Sequence, residues 1–523
     1  MTNDPFAAAK SGESAGSSIP SRGSFKGNRS AVAADHPLAA STGEHILMEG
    51  GSAADAAIAM SAVLTVVQPQ MSHLGGDLFA MTYSPQEGSL ALNSSGAAPS
   101  KTKVHELTEK NKIPETGRNS ITVPGCVAGW EALHNRFGKL PWSRLFEDAE
   151  RLAREGFPPS ENLHRALTGA TQKVESIDYF FSLFGEVLKG NELKIVQTEL
   201  AETFKVISSE GANGFYTGAI ASKCLNDLNS DGELFTESDW HGDPRWEKPL
   251  STTFCNYDIL TQPPPSRGLV LLLALKKYAE LLEKKSSSNI TEQLAIQAFI
   301  DASETVDLLA GDPDWTNFDA YKLIEQNKAT RGVVDSGSDG GTTYLLAVDS
   351  SGHAISLIQS IFSSWGSGIF NPETGIIFNN RMGGFVLTKD HPNRVLPGKR
   401  PMHTLHSYLV TNTVGDLYAL GGTPGAFRQP QTNLQILDAV LRLNKHPQAA
   451  LDEPRWGIDP EKGLFVELRT PDILGQKLHH GDSSPQYLNA WDGWTGRASF
   501  ARLNQGLIEV GCDLRGEGQA IIN

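Results

Sequence analysis

The chain has 523 residues, long enough for several structural units, and carries 45 Lys and Arg against 60 Asp and Glu for a formal net charge of −15. That acidic balance argues against nucleic acid or an anionic membrane surface as a partner. The four cysteines, Cys126, Cys224, Cys255 and Cys512, are scattered with no CxxC pair and no metal-ligand spacing, so they read as reduced thiols and not as a disulfide framework.

Residues 1–27 are rich in Ser, Gly and Ala and lack the apolar core of a signal peptide, so they read as a disordered or loosely attached arm. A cytoplasmic location is the expectation. The arm contains Gly12-Glu13-Ser14-Ala15-Gly16, which matches the GxSxG nucleophile elbow but has no strand before it and no helix after it. The longest apolar run, 53–67, contains Asp55 and falls short of the ~20 residues that span a bilayer. Ser52 and Asp55 have capping-box spacing and Pro69 marks an end, which predicts a buried, Ala-rich helix. Further helices are expected over 127–137, 147–155, 269–284 and 291–310, the last stopped by Gly311-Asp312-Pro313. The polar run 284–289 reads as a surface loop. Residues 333–341 are Gly-, Ser- and Asp-rich and read as a mobile loop, followed by a strand over 342–348, a turn over 349–352 and a returning strand over 353–362. Shorter strands are expected at 376–378, 407–411 and 416–420. No internal repeat is visible, and periodicity alone leaves α+β and α/β open.

His403 with His406, and His479-His480, lack an HExxH pattern or a cysteine partner, so they read as packed or surface histidines and not as metal ligands. Asn28, Asn93 and Asn289 open glycosylation patterns that carry no weight without a secretory signal.

Gly340-Gly341-Thr342-Thr343-Tyr344 places two threonines behind two glycines where a strand begins. One reading is a plain loop-to-strand entry. The other is a chain that cuts itself. Cleavage between Gly341 and Thr342 would free an α-amine beside a hydroxyl, giving nucleophile and base in one residue. An α-amine titrates near pH ~8, so much of it could accept a proton under physiological conditions.

Eight blocks decide between these readings. They are DHPLAASTGEHILMEGGSAADAAIA (35–59), QPQMSHLGGDLF (68–79), SGAAP (95–99), ITVPGCVAGWEALHNRFGKLPW (121–142), PPPSRG (263–268), GTTYLLAVDSSGHAIS (341–356), GKRPMHTL (398–405) and GGTPGAFRQPQ (421–431). In this order they resemble the γ-glutamyltranspeptidase family of N-terminal-nucleophile hydrolases, over about residues 31–441. The resemblance implies an α+β fold, a four-layer αββα sandwich. It implies self-cleavage before Thr342 into a large subunit, 28–341, and a small subunit, 342–523, that share one core. It also implies a small-molecule amide as substrate, acyl transfer through Thr342 and no metal or organic cofactor.

The resemblance assigns supporting roles as well. Thr343 completes the family's doubled threonine. Ser360 matches a Thr whose hydroxyl lies near the new amino terminus. The oxyanion hole falls on the backbone amides of Gly425 and Ala426, where the family usually has Gly at the second position; Ala serves if its φ is compatible. His403 and Thr404 match paired serines that line the acyl pocket.

The substrate residues depart from the pattern. Ser95 stands where γ-glutamyl enzymes have an Arg for the α-carboxylate. Arg381 and Gly384 occupy the acidic positions that hold the α-amine, and Phe362 replaces an Asn. A guanidinium binds carboxylate bidentately and repels ammonium, so the site is expected to favour an acidic or neutral acyl group without an α-amine, oxamate- or glutaryl-like. Arg381 could instead form a structural ion pair outside the pocket. The alternatives are a γ-glutamyl hydrolase or transpeptidase acting on glutathione-type substrates, and an uncleaved, non-catalytic homologue.

Overall fold

The computed structural model describes residues 23–286, 290–326, 340–475, 477–481 and 484–523. The GxSxG match, residues 287–289 of the polar loop and residues 333–339 of the segment ahead of Thr342 lie outside them.

The first strands are β1 (Phe25–Gly27), β2 (Ala31–Ala34), β3 (Asp77–Ser84), β4 (Gly88–Ser94), β5 (Arg245–Glu247), β6 (Leu250–Phe254) and β7 (Tyr257–Thr261). After the helical middle come β8 (Gly340–Val348), β9 (Ala354–Ser363), β10 (Ser407–Thr411) and β11 (Leu417–Gly422). The last are β12 (Trp456–Asp459), β13 (Gly463–Glu467), β14 (Gln486–Leu488), β15 (Ser499–Asn504), β16 (Leu507–Cys512) and β17 (Gln519–Ile522). One seven-stranded sheet runs β17-β2-β8-β9-β3-β4-β5 and a second runs β1-β16-β15-β11-β10-β7-β6, with β12 to β14 in a small third sheet.

Period-2 alternation explains the layering. In β8, Tyr344, Leu346 and Val348 join Phe79, Ile358, Leu409 and Leu420 in the core between the two large sheets. Leu345 and Ala347 point the other way and pack with the helices α1 (Pro37–Met48) and α2 (Ala53–Val67). The far face of the second sheet packs on the helices Gly268–Glu283 and Thr291–Leu309 through Leu250, Ile259, Tyr408 and Val410. The order is helices, sheet, sheet, helices, as the αββα expectation states. α2 is buried along its whole length because it lies under β8 and β9, and it begins with the capping box: Ser52 N–H donates to Asp55 at 2.8 Å and Asp55 N–H to the Ser52 hydroxyl at 3.1 Å.

Two details differ from the sequence expectations. Phe25–Gly27, within the stretch read as a loose arm, pairs with Ile508–Val510 as an edge strand, since backbone groups at a sheet edge pair without needing an apolar sequence. Residues 376–378 make single bridges to Phe370 and Gly75 and no ladder, because this buried run passes between turns. Cys126, Cys224, Cys255 and Cys512 are free thiols.

Candidate active site

Thr342 sits on β8 opposite Ser360 of β9, and Ser360 in turn sits opposite Asp77 of β3. The three therefore form a row across adjacent strands, on the face turned toward the second sheet. A bulge at this point skips Ile361 and opposes Gly341 to Phe362, which carries φ 78°, a strained left-handed conformation for an aromatic residue. The bulge brings the Ser360 hydroxyl across the Gly341–Thr342 bond. Thr342 Oγ1 donates to Ser360 Oγ at 3.2 Å, and Ser360 Oγ donates to the Gly341 carbonyl at 2.5 Å. Phe362 N–H donates to the same Ser360 oxygen at 2.8 Å, fixing the rotamer. Thr342 and Ser360 are both 1% exposed, so these bonds form away from bulk water.

Thr343 faces the helical layer instead. Its hydroxyl donates to Ser72 at 2.9 Å, and Gln359 Nε2 donates to Ser72 at 3.0 Å and to the Ser61 carbonyl of α2 at 3.0 Å. Strand alternation requires this: two adjacent threonines cannot share one face. Grouping Thr343 with the reacting atoms is therefore corrected to a role in anchoring the strand.

Across from Thr342 stands the turn after β11. Gly425 has φ 144° and Ala426 φ 52°, so the alanine adopts the left-handed conformation that the family's usual glycine accepts at little cost. Their amides open a single 3-10 turn, where the first N–H groups have no intrahelical partner. Gly340 lies against this turn.

The residues expected to read the acyl group gather around Asp77. Arg381 is 0% exposed and donates through Nε to Asp77 Oδ2 at 3.3 Å. Its guanidinium lies 4.6 Å from the centroid of the Phe362 ring. Nη1 and Nη2 of Arg381 have no hydrogen-bond partner among the described residues. His403 is also 0% exposed, rests 4.9 Å from the Phe79 ring and has both ring nitrogens without a partner there. Burial, with Arg381 and Arg400 nearby, holds the His403 pKa well below the usual histidine range, so the ring is neutral. Burial pushes the Asp77 carboxyl up to about 6 against the pull of Arg381, and lowers Arg381 to about 10 against the pull of Asp77.

The other expected residues contribute less. Ser95 is buried, but its hydroxyl donates to Asn93 at 2.7 Å and its carbonyl accepts from Arg400 Nε at 3.0 Å, so it builds the wall. Gly384 packs against the Met402 backbone, and Thr404 is half-buried beside His403. Arg381 does form an ion pair, and its partner Asp77 stands in the row that starts at Thr342.

Sequence reasoning missed Asp77, although it stands within the block GGDLF; a carboxylate at the start of an apolar strand was the available signal. It also missed Asp35, whose Oδ2 accepts from Tyr344 N–H at 3.1 Å just where the β2–β8 ladder ends. Among the described residues there is no cluster of three or more His, Cys, Asp or Glu that could hold a metal ion, and no helix long and apolar enough to cross a membrane. His406 Nε2 lies 2.9 Å from Asn433 Nδ2. An open cleft of 610 Å³ beside Trp240, Trp246 and Arg136 contains none of the Thr342 group.

Residues 39–522 match the family model described as Gamma-glutamyltranspeptidase. The chain is 31% identical over 524 residues to the glutathione hydrolase-like YwrD proenzyme of Bacillus subtilis, covering 95% of this chain and 98% of that protein. It is 29% identical over 515 residues to the oxamate amidohydrolase proenzyme of Klebsiella pneumoniae, covering 93% and 97%. Among solved structures, the cephalosporin acylase from Bacillus halodurans superposes with a TM-score of 0.87 at 27% identity, covering 100% of this chain and 99% of that one.

Proposed function

Because the chain belongs to the gamma-glutamyltranspeptidase family, we propose that it is a self-processing amidohydrolase or acyltransferase whose nucleophile is Thr342. The observation that carries this reading is the relay from the Thr342 hydroxyl through Ser360 to the Gly341 carbonyl. In the uncut chain, Ser360 accepts the proton of the attacking hydroxyl and donates to the oxygen on which charge develops. The Thr342 Oγ–C bond forms, the Gly341–Thr342 C–N bond breaks, and the proton ends on the new amine. Water then hydrolyses the ester, leaving 342–523 as a small subunit paired with the large one. Relatives carrying the word proenzyme in their names support this processing step.

In turnover, the Thr342 amine takes the proton from its own hydroxyl as it attacks the substrate amide. The tetrahedral oxyanion is received by the amides of Gly425 and Ala426, and one such donor is worth ~3 kcal/mol of transition-state stabilisation. The leaving amine departs and water or an acceptor amine releases the acyl group. The acyl group is acidic or neutral and lacks an α-amine, a reading supported by the buried guanidinium of Arg381, which pairs with Asp77 in the row that starts at Thr342 and would repel an ammonium group. The oxamate amidohydrolase and cephalosporin acylase likenesses support this side; the glutathione hydrolases among the relatives support the γ-glutamyl alternative.

The test is a denaturing gel with intact mass of the purified protein and of Thr342→Ala. Two fragments in the parent, the smaller beginning at Thr342, and one chain in the variant are expected. A single uncut chain in both after long incubation would sink the reading.

A further inference from the structure

Behind Thr342, on the face of the sheet where Leu345, Leu357 and Ile361 pack with the helices, lies a cluster of hydrogen-bonded side chains. At its centre is Gln359, on β9 directly opposite Thr343 and next to Ser360. The Gln359 side-chain oxygen accepts from the Ser61 hydroxyl of α2 and, at 3.6 Å, from the Cys126 thiol at the start of the helix Cys126–Phe137. Its Nε2 donates to the Ser61 carbonyl and to the Ser72 hydroxyl, both at 3.0 Å. Trp130 Nε1 donates to Ser61 Oγ at 2.6 Å, and Thr343 Oγ1 donates to Ser72 Oγ at 2.9 Å. Both donors of the Gln359 amide are used and its oxygen accepts twice, with Gln359, Ser61, Ser72 and Thr343 all buried. A buried network satisfied in this way rigidifies and specifies one arrangement.

The network grips the start of β8, beyond the end of its ladder with β2. That ladder ends with Ala34 opposite Leu345, and the next amide, Tyr344 N–H, donates to Asp35 Oδ2 at 3.1 Å instead. In the uncut chain, residues 342–344 are also held from the N-terminal side, because Gly340 and Gly341 belong to β8 and pair with Ser363 and Phe362. Cutting before Thr342 removes that hold and makes the nucleophile a chain end, where order is weakest. We propose that Gln359, acting through Ser72 and the Thr343 hydroxyl, is a positioning residue that keeps Thr342 in register with Ser360 once the chain is cut, and that the cut itself does not need it. This deepens the Thr342 reading and rests on it. The second threonine suits the task because strand alternation turns its hydroxyl to the helical layer, away from the reacting atoms.

Hydrogen exchange read by mass spectrometry on the full-length protein tests this and needs no substrate. The amides of residues 343–346 are compared in the self-processed parent and in the uncut Thr342→Ala chain, each with and without Thr343→Val, which keeps the β-branched shape and loses the hydroxyl. Exchange in the processed protein should quicken about tenfold, the order set by one buried hydrogen bond, and change by less than about twofold in the uncut chain. Thr343→Ser, which keeps the hydroxyl, should restore the parental rate. Gln359→Leu should act in the same sense, and the double variant should be no worse than the stronger single change, since both break one chain of bonds. Gln359→Leu strips partners from several buried groups and can unfold the chain, so Thr343→Val carries the test.

Turnover supplies the functional arm. With glutaryl or γ-glutamyl p-nitroanilide as the probe, whichever the parent hydrolyses faster, Thr343→Val should lower kcat about tenfold and move KM by less than about twofold. The half-time of self-cleavage on a gel should stay within about twofold of the parent's. Equal acceleration of exchange in cut and uncut chains, no acceleration in either, or self-cleavage slowed as much as turnover would overturn the proposal and leave a Thr342 hydrolase standing. A parent that never cleaves before Thr342 would remove the underlying reading instead.

Discussion

A β-carbon added to Gly340 would come within 3.1 Å of both Cβ and N of Ala426, so the residue two places ahead of Thr342 is pressed against the turn proposed to supply the oxyanion donors. The uncut segment and the oxyanion turn are packed as one surface, and substitutions on either side should be felt by the other.

Ala426→Gly probes that contact. Alanine held at φ 52° pays about 1–2 kcal/mol that glycine does not, partly offset by the greater freedom of glycine in the unfolded chain. The variant should be as stable as the parent or up to about 1 kcal/mol more so in urea unfolding. Since the donor is a backbone amide, kcat should stay far inside the roughly 100-fold loss that follows removal of a donor. A loss of that size would mean that the methyl group, and not the amide, matters here.

Gly341→Ala addresses the residue on the other side of the bond. Its new β-carbon would collide with the backbone carbonyl of Ser363, which has no side-chain freedom to yield. Processing followed on a gel should slow sharply although Thr342 is intact. Cleavage at the parental rate would show that the strand start rearranges before reacting.

Ser360→Ala removes the hydroxyl that both accepts from Thr342 and donates to the Gly341 carbonyl. A slowing of self-cleavage by about 10²- to 10⁴-fold is expected for loss of a positioned proton-transfer group. Ser360→Thr should recover most of it. If Ser360→Ala matures normally, the relay is only a packing contact.

Asp35 gives a pH dependence. Burial pushes its carboxyl up to about 7 against the pull of Arg497, while in the unfolded chain it titrates near ~3.9. Between those values the folded state holds a proton that the unfolded state has lost. Its contribution is therefore complete below about pH 4 and is lost as pH rises through about 7. Asp35→Asn, whose side-chain oxygen can still accept from Tyr344, should flatten this part of a urea-midpoint profile taken from pH 4 to 8. An unchanged profile would assign the slope to other groups, Asp77 among them.

Much of this was legible beforehand because it rests on local patterns. The capping box of α2, the strand-turn-strand of β8 and β9 and the glycine-threonine junction are short-range signals, and each occurs where the sequence puts it. The alternation that sends Thr343 to the helices was equally readable, yet the doubled threonine invited a shared role. What could not be read is what the sheet brings together from afar. Asp77 and Arg381 are 304 residues apart, and nothing near either one names the other. The left-handed alanine likewise became visible only with its φ.

The order of strands carries one more consequence. If the chain is cut before Thr342, β2, β3, β4 and β5 belong to one piece and β17, β8 and β9 to the other, and they interleave within a single sheet, with β2 between β17 and β8; the second sheet mixes the pieces too. The mature molecule would then have no plane along which it could come apart. Separation would require melting both sheets, and the two peptides would afterwards have to find each other by collision, without the tether that once held them at high effective concentration. Cutting would thus make folding a one-way event: the uncut chain can return from denaturant, while the mature protein depends on the height of its unfolding barrier.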